Sequence, residues 1–463
     1  VAALLAGCQG YERAPLNLDA HAAALGTRVS SPEALREFVD RLAETGQPAP
    51  ECFDYSDGLS PAEGEVLALF YNPDLRLARL DAGIALATFE TAGLWEDPRF
   101  GFDAAEILSP SGPFEYGLTL SFTLPVSGRL AVEKDRAGAA FEAELRRIVD
   151  AEWALRAEVR SAWAAWTAAA ERVRLLEEIN ARIEHITSIT DRLEHAGGMT
   201  RVESRLIRAE ALSVRSGLIA GQWAETDARI RLLGLMGLPP DAGIELLAVF
   251  PTAEIPRVED ETRRLIESNT TLAVHRAEYQ IAEETLRLEV RRQYPDITIG
   301  GGYGDEGDDR LLLGISLPIP VLNANRAGIR EARARRERVR AAAETAFERL
   351  ALDLASAHAA RVVARLQRES IEAELVPMLD EQSRELERLA GLGEVDALVL
   401  LETVTRGYEA RSLLLDLRRA ELAATNEVAR LLGPDRSRDP EPAPAAHEPA
   451  APSVESPAEE AHR

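Results

Sequence analysis

Residues 116–125, Tyr-Gly-Leu-Thr-Leu-Ser-Phe-Thr-Leu-Pro, and residues 311–320, Leu-Leu-Leu-Gly-Ile-Ser-Leu-Pro-Ile-Pro, decide how the rest of the chain is read. In the first stretch Tyr116, Leu118, Leu120, Phe122 and Leu124 alternate with Gly117, Thr119, Ser121 and Thr123. A period of two puts apolar side chains on one face of a strand and small polar ones on the other. The second stretch sets Leu311, Leu313, Ile315 and Leu317 against Leu312, Gly314 and Ser316. Weaker strand signals precede each stretch: Phe100 and Phe102 in one case, Ile297, Ile299 and Tyr303 in the other. The links, 109–114 and 305–309, are short and rich in glycine, proline or aspartate, which predicts two antiparallel hairpins. Tilted strands cross a bilayer in about nine to eleven residues, so these segments are long enough. Periodicity alone equally allows a soluble hairpin. Four strands cannot close a barrel, and an open edge cannot face lipid because its backbone groups would lack partners. In a membrane the chain must therefore assemble with copies of itself, two giving eight strands and three giving twelve.

The two stretches are corresponding parts of a duplication, in which residues 72–237 recur as 269–433. Asn72 matches Asn269 and Pro98 matches Pro295 at an offset of 197; Pro125 and Pro320, then Gly198 and Gly393, match at 195; Gly237 and Gly433 match at 196. A unit of this length far exceeds the roughly 20 to 50 residues of a solenoid repeat. Each copy is therefore half of one elongated body.

Around the hairpins the period is helical. Ser60-Pro61-Ala62-Glu63 reads as a capping box, opening a helix expected to run to about Trp95, with a counterpart from about Pro256 to Tyr294. Past Gly128 and Asn323 come the longest elements, predicted over about 130–196 and 326–390. Leu155, Val159, Ala162, Trp166, Ala169, Val173, Leu176, Ile179, Ile183, Ile186 and Leu193 mark a coiled-coil seam along the first. Pro377 predicts a kink in the second. Both rods stop at glycines, Gly197-Gly198 and Gly391 to Gly393, and a return helix runs from each to Leu235 and Leu432. The fold class expected is mainly α with a small β part: an internally duplicated chain of long antiparallel helices with four strands.

Composition agrees, with aromatics at 5% and charged residues at 28%, as suits long amphipathic helices. A net charge of −25 excludes nucleic acid as a partner, since phosphate binding needs a basic surface. No apolar run reaches the roughly 18 residues of a transmembrane helix. The first residues, VAALLAGC, end in a lipobox-like Leu5-Ala6-Gly7-Cys8. Cys8 is thus the expected lipid attachment site, and Gln9, by resemblance to bacterial lipoproteins, permits sorting to the outer membrane. Only Cys52 then remains, so no intramolecular disulfide can form. The expected organisation is a residual signal peptide and lipobox at 1–8, a lead at 9–59, repeats at 60–240 and 256–433 joined by a linker at 241–255, and a disordered Pro/Ala/Glu-rich tail at 434–463.

With helix, hairpin, long helix, glycine turn and return helix present twice, the chain resembles the TolC-like outer-membrane efflux proteins over about residues 60 to 433. The residues that carry the resemblance are Asn72-Pro73-Asp74-Leu75, Leu317-Pro318-Ile319-Pro320-Val321 with Asn325 and Gly328, and Leu375-Val376-Pro377 leading into Gly393-Glu394-Val395-Asp396. It implies a homotrimer in the bacterial outer membrane, with twelve strands in one β-barrel and twelve long helices in an α-barrel across the periplasm. It also implies a periplasmic adaptor and a proton-driven inner-membrane pump as partners, with outer-membrane lipid around the strands. Residues 317–328 are similar to the cation-efflux branch, which points to divalent metal export. By the same resemblance the adaptor-docking tips are Gly197, Gly198, Met199 and Thr200, and Gly391, Leu392, Gly393 and Glu394. Acidic gate positions six and nine residues after Gly393 fall on Val399, a departure, and on Glu402, which fits. Asp396 and Glu394 then supply further negative charge, and Arg388 and Arg406 are candidate salt-bridge partners of the closed state.

No catalytic motif, cofactor fingerprint or metal cluster is legible. There is no P-loop, dinucleotide turn or nucleophile elbow, and no two histidines have the spacing of a helical metal site. Gly300-Gly301-Gly302-Tyr303-Gly304 follows no strand-to-helix junction and reads as small residues facing a barrel lumen. Two other readings stay open: the outlet of a type I protein-secretion system, with the same architecture, and a lipid-tethered periplasmic coiled-coil scaffold.

Overall fold

The computed structural model describes residues 10–434, apart from 29–31, 45–49, 51, 52, 55, 56, 109, 110, 253, 257, 306, 307 and 392–395. Two short helices, α1 (Leu18–Gly26) and α2 (Pro32–Glu44), lead into the first copy. That copy comprises α3 (Pro61–Tyr71), α4 (Pro73–Thr91), β1 (Arg99–Leu108), β2 (Ser111–Leu124), α5 (Arg129–His195) and α6 (Arg201–Leu235). The second copy follows the same path through α7 (Glu261–Ser268), α8 (Thr270–Arg291), β3 (Ile297–Asp305), β4 (Asp309–Ser316) and α9 (Arg326–Ser370). It ends with α10 (Val376–Gly391) and α11 (Ala397–Leu432).

The opening helix of each copy, expected as one element, is two. The break falls at Asn72 and at its counterpart Asn269, and the side chains explain it. Asn72 Oδ1 accepts the N–H groups of Asp74 (2.9 Å) and Leu75 (3.1 Å), which makes it the N-cap of α4. Its Nδ2 donates to the Leu235 carbonyl at the end of α6, 3.0 Å away. Asn269 does the same, accepting from Leu272 N–H and donating to the Leu431 carbonyl, both at 2.9 Å. An asparagine inside a helical pattern thus acts as cap and cross-link together. Arg79 and Arg276 then reach back to the Leu69 and Ile266 carbonyls at the ends of α3 and α7. Gly237 (φ +68°) and Gly433 (φ +75°) close the same knots from the other side.

The rod α5 spans 67 residues, about 100 Å at 1.5 Å per residue. Along its seam Leu155, Val159, Trp166, Leu176, Ile179, Ile183 and Ile186 are buried, whereas Leu193, near the end, is exposed. The matching rod is interrupted by a π-helical turn at Ile371–Leu375, just ahead of Pro377. Proline has no N–H to give and its ring crowds the carbonyl four residues back, so the widened turn absorbs the expected kink. Glu372 in that turn is held by Arg368 Nη1 (2.6 Å) and Arg418 Nη2 (2.7 Å), tying α9 to α11. The hydrogen bond from Arg418, then that from Arg368, holds the Glu372 carboxyl below its usual range.

Three apolar clusters lie along the rods. The largest joins α3, α5, the end of α6 and residues 238–246 around the fully buried Trp163. A smaller equivalent in copy two contains Leu265, Leu350, Val428 and Leu431. The third, near the glycine turns, packs Ile183, Ile186 and Ile207 against Leu401 and Val404 of α11.

The two hairpins form one antiparallel sheet in the order β1-β2-β3-β4, with β2 paired to β3 across the duplication. The first link is shorter than expected, because β2 begins at Ser111 and its ladder runs on through Phe114. No helix among the described residues is long and apolar enough to cross a membrane.

Candidate functional site

The sheet register sorts the strand side chains into two chemically distinct faces. Phe102, Leu118, Tyr303 and Leu311 lie in one row across the four strands, and Phe100, Leu120, Gly301 and Leu313 in the next. Among the described residues this face is largely uncovered: Phe100 is 70% exposed and Leu313 87%. An uncovered apolar band of this size needs an apolar environment. The opposite face carries the rows Gly101, Thr119, Gly302, Leu312 and Asp103, Gly117, Gly304, Arg310. Its small and polar side chains suit a wet interior. Aromatic pairs mark both ends of the sheet, Trp95 stacked on Phe122 at 5.4 Å and Tyr116 beside Tyr303 at 6.3 Å. Interfacial belts of barrels have this composition.

Where the sheet meets the rods, one carboxylate links the two copies. Asp296, ahead of β3, accepts Arg129 Nε (2.7 Å) and Ser127 N–H (3.1 Å) from the segment after β2. Burial acts to raise the Asp296 carboxyl, but the hydrogen bonds from Arg129 and Ser127 outweigh it and hold it below the ordinary range. A depressed aspartate contributes stability at every pH above its unfolded value and loses it as pH falls through the folded one. Asp296→Asn is therefore expected to cost about 1–3 kcal/mol near neutral pH. Thermal melts of mutant and wild type should converge in strong acid; an equal deficit at all pH values would contradict the assignment.

At the other end of the rods, the tip residues of copy one form a Schellman turn. Gly197 adopts φ +76°, its N–H donates to the Glu194 carbonyl (3.1 Å), and Gly198 N–H donates to the Leu193 carbonyl (2.9 Å). Thr200 opens α6 with a capping box, accepting Glu203 N–H at 3.3 Å while Glu203 Oε2 accepts Thr200 N–H at 2.9 Å. Met199 packs on the cluster that joins this turn to α11. In copy two Gly391 is the last residue of α10 and Asp396 caps α11 through Leu398 N–H (2.8 Å). Leu392, Gly393 and Glu394 lie outside the described residues, as does Cys8.

Of the gate candidates, only Glu402 and Arg406 are brought together among the described residues. Glu402 and Arg406 pair along α11, Nε to Oε1 2.8 Å, and Arg406 also approaches Glu409 at 3.5 Å. Among the described residues no carboxylate pairs with Arg388, which is exposed. The ion pairs that tie neighbouring helices here are ones that sequence reasoning missed. Arg172 of α5 meets Asp416 of α11 (2.8 Å), Arg208 of α6 meets Asp191 (2.8 Å) and Glu194 (3.0 Å) of α5, and Arg411 of α11 meets Asp380 of α10. Gln382 adds a hydrogen bond to Thr403 at 3.2 Å. An arginine and an acid on different rods reveal nothing until the register between the rods is known. Because Glu402 and Arg406 are both well exposed, Glu402→Gln should leave the denaturation midpoint almost unchanged. A larger shift in the denaturation midpoint would mean that the pair is structural.

Residues 66–238 match the family model described as outer membrane efflux protein. Solved structures share the fold over 81% to 84% of this chain. The Campylobacter jejuni CmeC outer membrane channel aligns at 15% identity with a TM-score of 0.70, covering 83% of this chain and 89% of that one. The open state of the Neisseria gonorrhoeae MtrE outer membrane channel aligns at 20% identity and a TM-score of 0.68, covering 81% and 89%. CusC, described as a transmembrane channel, aligns at 18% identity and 0.69, covering 84% and 94%. No curated protein sequence matches significantly. The TolC-like resemblance read from the sequence holds for the fold, and the family model that matches is described as one of outer membrane efflux proteins.

Proposed function

We propose that this chain, which carries the fold of the outer-membrane efflux channels, is the outlet of a tripartite export system. Three copies close a twelve-stranded barrel and continue it as a helical tube. Solute handed over by a proton-driven inner-membrane pump passes through passively, and a periplasmic adaptor docks on the tips at 197–200 and 391–394. The observation that carries the reading is the sheet. Among the described residues β1 and β4 each have one neighbour, and one face is apolar and bare. Unpaired edges and an uncovered apolar face are tolerable together in lipid only if further copies complete the ladder. A soluble scaffold would leave both exposed to water.

In this reading Asp396 and Glu402 of three copies surround the threefold axis near the tips. Like charges so arranged repel, so protonation or a divalent cation favours closure. Residues 317–328, similar to the cation-efflux branch, make divalent metal ions the first cargo to test, and Cys8 is the proposed lipid anchor. Outer membranes extracted in mild detergent should yield a heat-modifiable trimer that conducts ions in planar bilayers. A monomer recovered from the soluble periplasm would reject the channel.

The tips give a separate test. Gly198 has no positive φ, and a Cβ there would meet the Leu193 carbonyl at an ordinary 3.7 Å. Gly198→Asp should therefore fold and form trimers as the wild type does, yet bind adaptor at least about tenfold more weakly, a loss of about 1.4 kcal/mol. Unchanged adaptor affinity would remove copy one's turn from the docking surface.

A further inference from the structure

The duplication supplies an internal control for one cavity beside the Asn72 knot. Parts that the knot needs occur in both copies: Asn72 and Asn269, Arg79 and Arg276, Gly237 and Gly433. At the same offset of 197, however, Phe70, Tyr71, Arg76 and Leu80 correspond to Glu267, Ser268, Ala273 and Ala277. Copy two builds its knot without an aromatic pair, a second arginine or a leucine there. Phe70 and Tyr71 also hold the lead segment that copy two lacks, Phe70 against Phe38 of α2 at 5.2 Å and Tyr71 through the Arg28 carbonyl, which leaves Arg76 as the addition without an ion pair or a joining role among the described residues.

In copy one these residues, with Arg28 and Arg79, line a cavity of about 500 Å³ between α1 and α4. Arg28 lies over the Tyr71 ring, 5.2 Å from its centroid, and donates to the Gly237 carbonyl. Tyr71 Oη donates back to the Arg28 carbonyl at 3.0 Å, and Phe70 packs edge-on against Tyr71 at 4.7 Å. Arg79 is paired to Glu152 at 2.9 Å. Among the described residues no carboxylate pairs with Arg28 or Arg76, so three guanidinium groups face one acid in a chain whose net charge is −25. Two of the arginines are oriented by carbonyl oxygens, which leaves their remaining N–H groups fixed in direction. Oriented guanidinium groups suit planar or tetrahedral oxyanions, while Phe70 and Leu80 offer an apolar wall.

We infer that the cavity between α1 and α4, bounded by Arg28, Arg76, Arg79, Phe70, Tyr71 and Leu80, binds an anionic amphiphile, a phosphate or carboxylate group on an apolar body. Arg76 is the side chain that supplies charge without a structural duty.

The test is calorimetric titration of the full-length protein in nonionic detergent with hexyl phosphate, hexanoate, inorganic phosphate and hexanol. Hexyl phosphate or hexanoate should bind saturably, once per chain and at least tenfold more tightly than inorganic phosphate or hexanol. Arg76→Ala should weaken that binding at least tenfold with an unchanged melting temperature, and Arg76→Lys should restore part of it. Binding to the protein as purified would indicate a soluble anion as the native occupant; binding only after removal of co-purified phospholipid would indicate a lipid headgroup. Either supports the site. Absence of saturation, equal affinity for hexanol, or indifference to Arg76→Ala would overturn it. So would a loss of oligomer heat stability in Arg76→Ala, which would show that a neighbouring copy's acid fills the cavity.

Discussion

Alanine at Gly433 is expected to unlock the second half of the molecule, and alanine at Gly237 the first. A Cβ at Gly433 would sit 2.1 Å from the Ser268 carbonyl oxygen, and one at Gly237 2.3 Å from that of Tyr71. Both neighbours are backbone, in helices already held by Asn269 and Asn72, so neither can move aside cheaply. The positive φ adds about 1–2 kcal/mol of strain for an L-residue. With the overlap, the total should exceed about 3 kcal/mol, in the range of severe single substitutions. Gly197 separates the two contributions, because it has φ +76° but open space around its missing Cβ. Gly197→Ala should cost only the strain, about 1–2 kcal/mol. Denaturation midpoints of the three variants, together with the heat stability of the assembled form, make the comparison. If Gly433→Ala and Gly197→Ala were equally mild, close approach at the knots would not be limiting.

These knots also show where sequence reading stops. The matched spacing of Asn72 with Asn269 and of Gly237 with Gly433 was visible at once, but not what the pairs do. Each asparagine needs a carbonyl from a helix about 160 residues away, Leu235 or Leu431, to become a cross-link. Without that partner, the helical pattern on both sides predicts one continuous helix. Arg79 and Arg276 were also legible as a pair at the same offset, and searching for further matches would have found them.

The strands were legible because a period of two needs no tertiary knowledge, and each had one apolar face. Pairing of β2 with β3, and hence one sheet rather than two hairpins, was not, since it depends on how the copies dock. At the tips the glycine turns were readable from composition. The ion pairs Arg172–Asp416 and Arg411–Asp380 were not, because charged residues cover every face of these rods and only the register selects partners.

The second large effect follows from the two faces of the sheet. Leu313 lies midway along β4 in the row Phe100, Leu120, Gly301, Leu313, near the centre of the apolar band. Lysine on the lipid face of a barrel at that depth costs about 2–4 kcal/mol. In the proposed trimer three copies multiply this to roughly 6–12 kcal/mol per assembly, enough to abolish a marginally stable oligomer. Ser121 lies in an adjacent row on the opposite face, beside Arg99, Gly300 and Gly314. Lysine there has water and a small-residue surface around it, so Ser121→Lys should assemble normally. It should instead shift the reversal potential of the open pore toward anions, since three added cations would surround the same narrow passage. Heat-modifiable bands on gels report assembly, and bilayer recordings report selectivity. The reverse pattern, with Leu313→Lys assembling and Ser121→Lys failing, would mean that the glycine-rich face looks outward. The charged rows at Asp103 and Arg310 would then lie in hydrocarbon, at a cost that no apolar interior could offset.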